Sequence, residues 1–395
     1  MRQRIQECFR VMIKYADRLN KLPPYAFAEV DKAKHQKIKE GVDVIDLGVG
    51  DPDLPTPDYV IDSLCKAVHD PETHQYPSYS GSTVFRDACV DWFGKRFGVE
   101  LDTDKEIITL IGSKEGIAHI PEAFVNPGDY TLCPNPGYPV YGTATMFAEG
   151  IPGDMPLLTE NGFKPDLSKI PKDIVKKSKM LFINYPNNPT AAIADRKFFK
   201  EAVDFGKDNG LIIVHDNAYS EVTYDGYKAP SILEVPGSMD CCIEIHSLSK
   251  TSNMTGWRIG FAVGNADIVA GLGRVKMNVD SGAFLAVQMA AIDALRHSDT
   301  FKQKMSRVYQ DRRDALLVGL KSLGITIEKP KATFYVWAPV PGGKSVEYAR
   351  FLIDRAGVVC TPGISLGKYG EGYVRFALTQ PVERINEAVE RMKKL

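Results

Sequence analysis

Short apolar runs recur through the middle of the chain, and polar or glycine-rich residues follow them. Runs rich in apolar and β-branched residues span 106–111, 180–184, 211–216 and 241–246, a length typical of buried strands. Segments of helical period lie between several of them. Because parallel strands need crossover connections, this alternation predicts an α/β fold whose large domain has a mostly parallel central sheet sandwiched by helices.

The pattern changes toward both ends of the chain. Helical periodicity predicts helices over 2–19 and 27–40, with two prolines between them, and further helices over 281–298 and 300–323. Short strands over 334–337 and 373–377, with helices around them, follow and indicate a smaller α+β domain. The economical division has three parts: an N-terminal segment that joins the small domain (1–50), a large domain (51–285) and a C-terminal small domain (286–395).

Composition and charge narrow the classes of function. The 395 residues carry a formal net charge of -1 at pH 7, and 44% of them are hydrophobic, as in an ordinary soluble globular protein. Nothing in this balance favours nucleic acid or a membrane surface as a partner, and no apolar run approaches the ~18 residues of a membrane span. The first residues also lack the apolar core of a secretory signal.

Cysteines and histidines show no spacing typical of a metal site. The seven cysteines are scattered without a C-x-x-C pair, which predicts reduced thiols and a cytoplasmic location. Cys241 and Cys242 are adjacent, so their side chains are expected on opposite faces of a strand. We interpret His119 and His215 as hydrogen-bonded core residues, because no second ligand lies at a metal spacing from either.

One lysine, Lys250, follows an apolar strand-like run and precedes a turn-rich one, which indicates a buried or half-buried amine. Burial lowers the pKa of a lysine, so its neutral amine can attack a carbonyl. Ser247, Ser249 and Arg258 would supply donors suited to a phosphate. An aldehyde that carries a phosphate suggests pyridoxal phosphate, although an ordinary strand-to-loop connection stays open as the alternative.

Three more clusters of polar residues follow predicted strands, at the edge where open α/β sheets bind ligands. Ser113 begins a helix whose free backbone N–H groups suit a phosphate, with a simple turn as the alternative. Asn188, held by the proline after it, is placed to direct its amide toward a ring oxygen. Asp216 ends an apolar strand, with Tyr219 three residues later, and a protonated pyridine nitrogen would give this buried carboxylate its partner.

Taken together, these segments resemble the fold-type I, aspartate-aminotransferase-like family of pyridoxal phosphate enzymes. The resemblance covers nearly the whole chain and keeps the family's order and spacings. Ala191 departs from the glycine that the family commonly has at that position. The matching motifs are Asn188-Pro189-Thr190, Asp216-Asn217-Ala218-Tyr219, Ser247-Leu248-Ser249-Lys250 and Gly256-Trp257-Arg258-Ile259-Gly260.

The resemblance implies a cofactor, pyridoxal 5'-phosphate, and a role for each matching residue. Lys250 would form the Schiff base and move the substrate proton, Asp216 would pair with the pyridine nitrogen, and Tyr219 and Asn188 would hold the ring oxygen. Tyr138 would stack on the ring. The phosphate would be bound by Ser113, Ser247, Arg258, the backbone around Lys114 and Tyr76 of a neighbouring subunit, so a homodimer with shared active sites is expected.

The resemblance also implies how an amino acid is held. Arg375 would bind the substrate α-carboxylate through its planar fork, and the backbone at Gly50 would contact the same group. Aspartate enzymes of the closest subgroup bind the distal carboxylate with an arginine that is missing here, where Lys276 would be only a point charge.

The stretches Leu22–Glu29, Leu110–His119 and His246–Gly256 look most like LL-diaminopimelate aminotransferases. Such enzymes convert tetrahydrodipicolinate and glutamate to LL-diaminopimelate and 2-oxoglutarate in lysine biosynthesis. A general aspartate, alanine or aromatic aminotransferase, or a β-lyase on the same fold, stays open as an alternative. The candidates for contact with the far end of the substrate are Lys114, Tyr15, Tyr141, Asn278 and Tyr79, the last of which stands where some members have a glutamate.

Overall fold

Helices and strands alternate through most of residues 13–22 and 28–395, the part of the chain that the computed structural model describes. The strands are β1 (Ile45–Asp46), β2 (Ile107–Leu110), β3 (Tyr130–Asn135), β4 (Ile151–Pro156), β5 (Ser178–Asn184), β6 (Ile212–Asp216), β7 (Cys242–Ser247), β8 (Gly260–Gly264), β9 (Tyr335–Pro339), β10 (Val358–Val359), β11 (Thr361–Pro362) and β12 (Tyr373–Ala377). The helices are α1 (Asp17–Asn20), α2 (Ala28–Lys39), α3 (Asp58–Ala67), α4 (Thr83–Phe97), α5 (Ser113–Phe124), α6 (Val140–Phe147), α7 (Lys172–Lys177), α8 (Arg196–Asn209), α9 (Leu248–Thr251), α10 (Ala266–Val279), α11 (Leu285–Arg296), α12 (Ser298–Ser322), α13 (Ser345–Ala356) and α14 (Val382–Met392).

A seven-stranded sheet in the order β2-β8-β7-β6-β5-β3-β4 forms the centre of the large domain. Neighbouring strands from β7 through β4 run parallel, and β8 is antiparallel to both β7 and β2. The predicted α/β fold with a mostly parallel sheet is therefore confirmed. The carboxyl ends of β5, β6 and β7 meet at one edge, which places the residues after these strands side by side.

Both faces of this sheet are covered, because apolar side chains of its strands pack into a hydrophobic core on either side. Leu181 and Ile183 of β5 pack into one core with side chains of α4, α8 and α11. Phe182, between them, points into a second core with side chains of α5, α6 and α10. Such buried large side chains each stabilise the fold by about 1.5–3 kcal/mol relative to exposure.

A second unit packs around the three-stranded antiparallel sheet β11-β12-β9. Its core joins side chains of this sheet with those of α12, α13 and α14 and also includes Ile45 and Leu47 from the N-terminal part. Strand β1 pairs in parallel with β10. By contrast, Ala290 and Leu295 of α11 belong to the core of the large sheet. The domain limits 1–50, 51–285 and 286–395 stay a prediction.

The helix predicted over 2–19 is wrong for the part that the structure describes. Residues 13–16 are not helical, α1 spans only Asp17–Asn20, and every residue from 13 to 20 is exposed. Residues 1–12 lie outside the described part. A helix without a packed apolar face has little to stabilise it, because isolated short helices are marginal in water.

The prediction that Cys241 and Cys242 point to opposite faces of a strand is also wrong. Their Sγ atoms lie 3.9 Å apart. Strand β7 begins only at Cys242, and Cys241 has a ψ of 2°, outside the extended region in which side chains alternate. Among the described residues, no helix is long and apolar enough to cross a membrane.

Candidate active site

A cavity of about 470 Å³ lies between the carboxyl edge of the large sheet and the small antiparallel sheet. Asn184, Asp216 and Ser247, which end β5, β6 and β7, line it on one side, and Tyr335 and Arg375 line it on the other. The predicted site residues that it brings together are Gly50, Ser113, Lys114, Tyr138, Tyr141, Asn188, Asp216, Tyr219, Ser247, Lys250, Arg258 and Arg375.

Another cavity, of about 510 Å³, lies elsewhere on the surface, and Arg96, Lys164 and Tyr227 are among its lining residues. Its lining includes none of the predicted site residues. We assign the chemistry to the first cavity, because it collects the strand ends at which sheets of this kind bind ligands. The term active-site cavity is used for it below.

Lys250 lies in the short helix α9, directly after β7. The hydroxyl of Ser247 accepts a hydrogen bond from Ser249 N at 3.2 Å and so fixes the start of this turn. The Lys250 Nζ atom donates to the carbonyl of Gly50 at 3.2 Å. The pKa of Lys250 is lowered to about 8, chiefly by burial; Asp51 opposes this shift, and the charges of Arg258 and Arg375 add to it. Near physiological pH the neutral, nucleophilic form is therefore far more abundant than in a lysine with the ordinary pKa of 10.5.

Asp216 ends β6 with its carboxylate buried beneath the cavity. One carboxylate oxygen accepts the Tyr141 hydroxyl at 2.8 Å, and the other accepts Ala218 N at 3.3 Å. Burial raises the pKa of Asp216, whereas these two hydrogen bonds lower it. Tyr141 was a sequence candidate for contact with the distal end of the substrate, but its hydroxyl donates a hydrogen bond to Asp216 instead.

Arg375 projects from β12 and is almost fully buried. Its Nη1 donates to Asn188 Oδ1 at 2.8 Å, and its Nη2 donates to the Gly48 carbonyl at 2.9 Å. The guanidinium also stacks over the ring of Tyr335, 4.3 Å from its centroid. The fork is thus held in one orientation, which suits bidentate binding of a carboxylate.

Asn188 and Gly50 are held in place around this arginine. The backbone N–H of Asn188 donates to Asn184 Oδ1 at 2.7 Å, and Asn184 Nδ2 donates to the Asp216 carbonyl at 2.7 Å. The loop after β5 is therefore tied to the end of β6. A Cβ atom on Gly50 would collide with the Tyr335 hydroxyl, so only glycine fits at this position.

The start of α5 and Arg258 form a cradle suited to an anion. Gly112 precedes the helix with φ 78°, and a Cβ atom there would collide with the Arg258 guanidinium. Arg258 Nη1 donates to the Thr255 carbonyl at 2.8 Å, which holds its charge beside the helix start. The free N–H groups of the first turn and the Ser113 hydroxyl complete a cradle of the kind that binds phosphate.

Several cavity residues were not among the sequence candidates. The Tyr335 hydroxyl lies 3.0 Å from that of Tyr219 and joins the two sheets across the cavity. Asn184, Asp31 and Thr361 also line the cavity. Tyr335 and Thr361 reach it only through the packing of the small sheet, and no local pattern marks them. Asn184 could have been predicted from the sequence, because it ends an apolar strand as Asp216 does.

Four candidates do not line the active-site cavity within this chain. Tyr15, Tyr76, Tyr79 and Asn278 are exposed, and the first two side chains are 72% and 87% accessible. The Asn278 amide donates to a carbonyl of its own helix, that of Arg274, at 2.8 Å. Any contact of these residues with cofactor or substrate stays a prediction that requires the second subunit.

Lys276 does not bind substrate as a point charge. Its side chain is 1% accessible, and Nζ bonds to Glu115 Oε1 at 2.9 Å and to Asp280 Oδ2 at 3.0 Å. Glu115 also accepts Ile111 N at 3.0 Å, so the ion cluster braces the loop before α5. The side chain of His119 lies 3.9 Å from Glu115. Glu115 and Asp280, which with His119 form a group of possible metal ligands, thus already share the charge of the Lys276 ammonium.

The fold and this cavity define an enzyme of the pyridoxal-phosphate-dependent fold-type I class. The sequence model of aminotransferase class I and II matches residues 42–392, and the chain belongs to that family. It is a transaminase.

Individual relatives and solved structures are similar to this chain over nearly its whole length. An LL-diaminopimelate aminotransferase of Syntrophobacter fumaroxidans is 56% identical over 381 residues, 96% of this chain and 98% of that protein. One of Aquifex aeolicus is 55% identical over 385 residues, 97% and 100% of the two chains. The substrate-bound structure of BacF from Bacillus subtilis superimposes with a TM-score of 0.93 at 35% identity and covers 97% and 98%.

Proposed function

We propose that this transaminase interconverts tetrahydrodipicolinate and glutamate with LL-diaminopimelate and 2-oxoglutarate, as a step of lysine biosynthesis. The sequence identity above 50% to LL-diaminopimelate aminotransferases over nearly the full chain supports this substrate. The observation that carries the chemistry is the convergence in one cavity of Lys250, whose pKa is lowered to about 8, a buried Asp216 and a preoriented Arg375.

The cofactor that we propose is pyridoxal 5'-phosphate, and the residues of the cavity fit it. Arg258, Ser113, Ser247 and the backbone around Lys114 would hold the phosphate, because glycine at 112 leaves room for the guanidinium beside a helix start. Asp216 would face the pyridine nitrogen, Tyr219 and Asn188 the ring oxygen, and Tyr138 the ring face. When bound, this cofactor supplies an electron-withdrawing ring that makes the α-proton of an amino acid acidic.

The reaction requires proton transfers that these side chains are placed to make. Arg375 binds the α-carboxylate and thereby fixes the position of the substrate Cα. Lys250 Nζ, neutral above a pKa of about 8, takes the proton from Cα and later returns one as a general acid. Asp216, whose ionised form the Tyr141 hydroxyl stabilises, would favour the protonated form of the pyridine nitrogen.

We also propose a homodimer with shared active sites and a cytoplasmic location. The exposure of the Tyr76 and Tyr79 side chains supports the dimer, because large aromatic side chains are commonly buried at interfaces. Tyr76 would then reach the phosphate bound by the partner subunit. Sedimentation of the wild-type protein and of Tyr76→Ala separates loss of assembly from loss of cofactor binding.

The proposed substrate is tested with a panel of amino donors on the cofactor-loaded enzyme. With 2-oxoglutarate as acceptor, glutamate should be formed, and kcat/KM should be higher for LL-diaminopimelate than for aspartate, alanine or tyrosine. A protein that uses aspartate or tyrosine but not LL-diaminopimelate would contradict the proposal and support the general aminotransferase. Release of pyruvate with ammonia would indicate a β-lyase.

Replacement of Tyr141 by phenylalanine should raise the pH below which the enzyme loses activity. Loss of the hydroxyl raises the pKa of Asp216, so the carboxylate is protonated at a higher pH and no longer holds the ring proton. We expect kcat/KM to fall roughly tenfold at the acidic end, the value of one hydrogen bond to a charged group, and to change less at alkaline pH.

The pH profile of kcat/KM checks this prediction. Tyr227→Phe is the matched control, because the Tyr227 hydroxyl donates to the Ala194 carbonyl at 3.2 Å outside the active-site cavity. If kcat/KM of Tyr141→Phe falls at the same acidic pH as that of the wild type, the Tyr141 hydroxyl does not lower the pKa of Asp216.

A further inference from the structure

Helix α2 contributes Asp31 to the lining of the active-site cavity. Three residues later on the same helix, Lys34 Nζ forms an ion pair with Asp46 Oδ2 at 2.7 Å. Asp46 also lines the cavity. Because residues three apart share one face of a helix, this ion pair holds the Asp31 face of α2 against the cavity.

Among the described residues, no side chain bonds to the carboxylate of Asp31. Its backbone carbonyl faces His35 Nδ1 at 2.7 Å, which is a contact within the helix. Lys34, the cation that shares this face of the helix, is paired with Asp46, so the charge of Asp31 stays available to a ligand. The chemical complement of such a group is an ammonium group.

The other carboxylates of the cavity are engaged or act on the reacting amine. Asp216 accepts the Tyr141 hydroxyl, and Asp46 accepts Lys34 Nζ and Gly48 N. The charge of Asp51 raises the pKa of Lys250, whereas Asp31 is not among the groups that shift it. Asp31 is therefore a residue of this cavity whose carboxylate is bound by no described side chain and does not shift the pKa of Lys250.

We propose that Asp31 is a specificity-determining residue that binds the distal ammonium group of a diamino dicarboxylate substrate. This assignment rests on the proposed function. With Arg375 on the α-carboxylate, a carboxylate at the far end favours a substrate with a second ammonium group and gives no advantage to glutamate. It also gives the cavity an anionic group for that ammonium, which Tyr79 does not provide.

The test compares two amino donors that differ only at the distal position. LL-diaminopimelate carries a second ammonium group, and L-2-aminopimelate has the same carbon chain and carboxylates without it. Single-turnover reactions of the cofactor-loaded enzyme are followed by absorbance for the wild type, Asp31→Asn and Asp31→Glu. Glu40→Gln is the matched control, because Glu40 follows α2, is exposed and does not line the cavity.

We expect Asp31→Asn to lower kcat/KM for LL-diaminopimelate roughly 10- to 100-fold, the effect of one charge-assisted hydrogen bond. For L-2-aminopimelate and glutamate kcat/KM should change less than about threefold, and Asp31→Glu should restore part of the preference. An equal loss with all three substrates would mean that Asp31 only supports the helix, and no loss would exclude the contact, so either result overturns the proposal. A wild type inert toward LL-diaminopimelate would instead refute the proposed function, and this assignment with it.

Discussion

Replacement of Lys250 by alanine is expected to abolish transamination while the protein still folds. The amine is both the nucleophile and the group that moves the α-proton, and general acid–base catalysis alone contributes about 10²- to 10⁴-fold. We expect kcat to fall by at least about 10⁴-fold, because both roles are lost together. Stopped assays of 2-oxo acid release measure this loss, and a Lys250→Ala protein with normal turnover would refute the assignment.

The same lysine should destabilise the protein when no cofactor is bound. Its pKa is about 8 in the folded chain against an ordinary value of 10.5, so folding favours the neutral amine. The destabilisation is complete below about pH 8 and disappears as the pH rises toward 10.5. The shift corresponds to roughly 3 kcal/mol at most. The size-matched variant Lys250→Met should therefore raise the free energy of unfolding at pH 7, and less so at pH 10.

Denaturant titration of the cofactor-free proteins at the two pH values checks this difference. Lys95→Met, at an exposed position of α4, controls for the loss of one surface charge. A Lys250→Met protein that is less stable than the wild type at pH 7 would show that the amine has a compensating partner. The rate of cofactor loading onto the wild type should also rise with a midpoint near pH 8 rather than 10.5, because only the neutral amine attacks the aldehyde.

The elements and residues predicted best from sequence are those with a local signal. Asp216 and Lys250 follow buried strands, and strand β12 (Tyr373–Ala377) has the predicted limits. An apolar strand that ends in a polar residue is a short-range pattern, and the parallel sheet brings such ends together. The fold could therefore be predicted from patterns of a few residues each, whereas residues 13–16, which are exposed, are not helical as their pattern predicted.

Pairings between distant segments escaped prediction for the opposite reason. The Tyr141 hydroxyl bonds to a residue 75 positions away, and Lys276 bonds to Glu115, 161 positions away. No pattern in the sequence around these residues predicts either contact. Because a buried cation needs anionic partners, Lys276 joins Glu115 and Asp280 inside the fold instead of reaching a substrate. The sequence indicated which residues carry charge, and only packing determined which charges face the cavity.

Replacement of Arg375 by lysine should weaken binding of every substrate that carries an α-carboxylate. Two nitrogens of the guanidinium are held by Asn188 Oδ1 at 2.8 Å and the Gly48 carbonyl at 2.9 Å. A lysine retains the charge but has no planar fork, so it can satisfy neither these acceptors nor a carboxylate in the same geometry. We expect kcat/KM to fall about 100-fold or more, in the range for a buried charge pair that loses its partner.

The loss from Arg375→Lys should be nearly equal for LL-diaminopimelate, L-2-aminopimelate and glutamate, because all three carry the group that Arg375 binds. This uniform loss distinguishes the α-carboxylate contact from the selective loss expected for Asp31→Asn. Arg350→Lys is the matched control, since the Arg350 side chain is 82% accessible. Kinetic constants for the three substrates decide between the outcomes. A loss confined to one substrate would mean that Arg375 contacts the distal end, and the orientation proposed for the substrate in the cavity would have to be reversed.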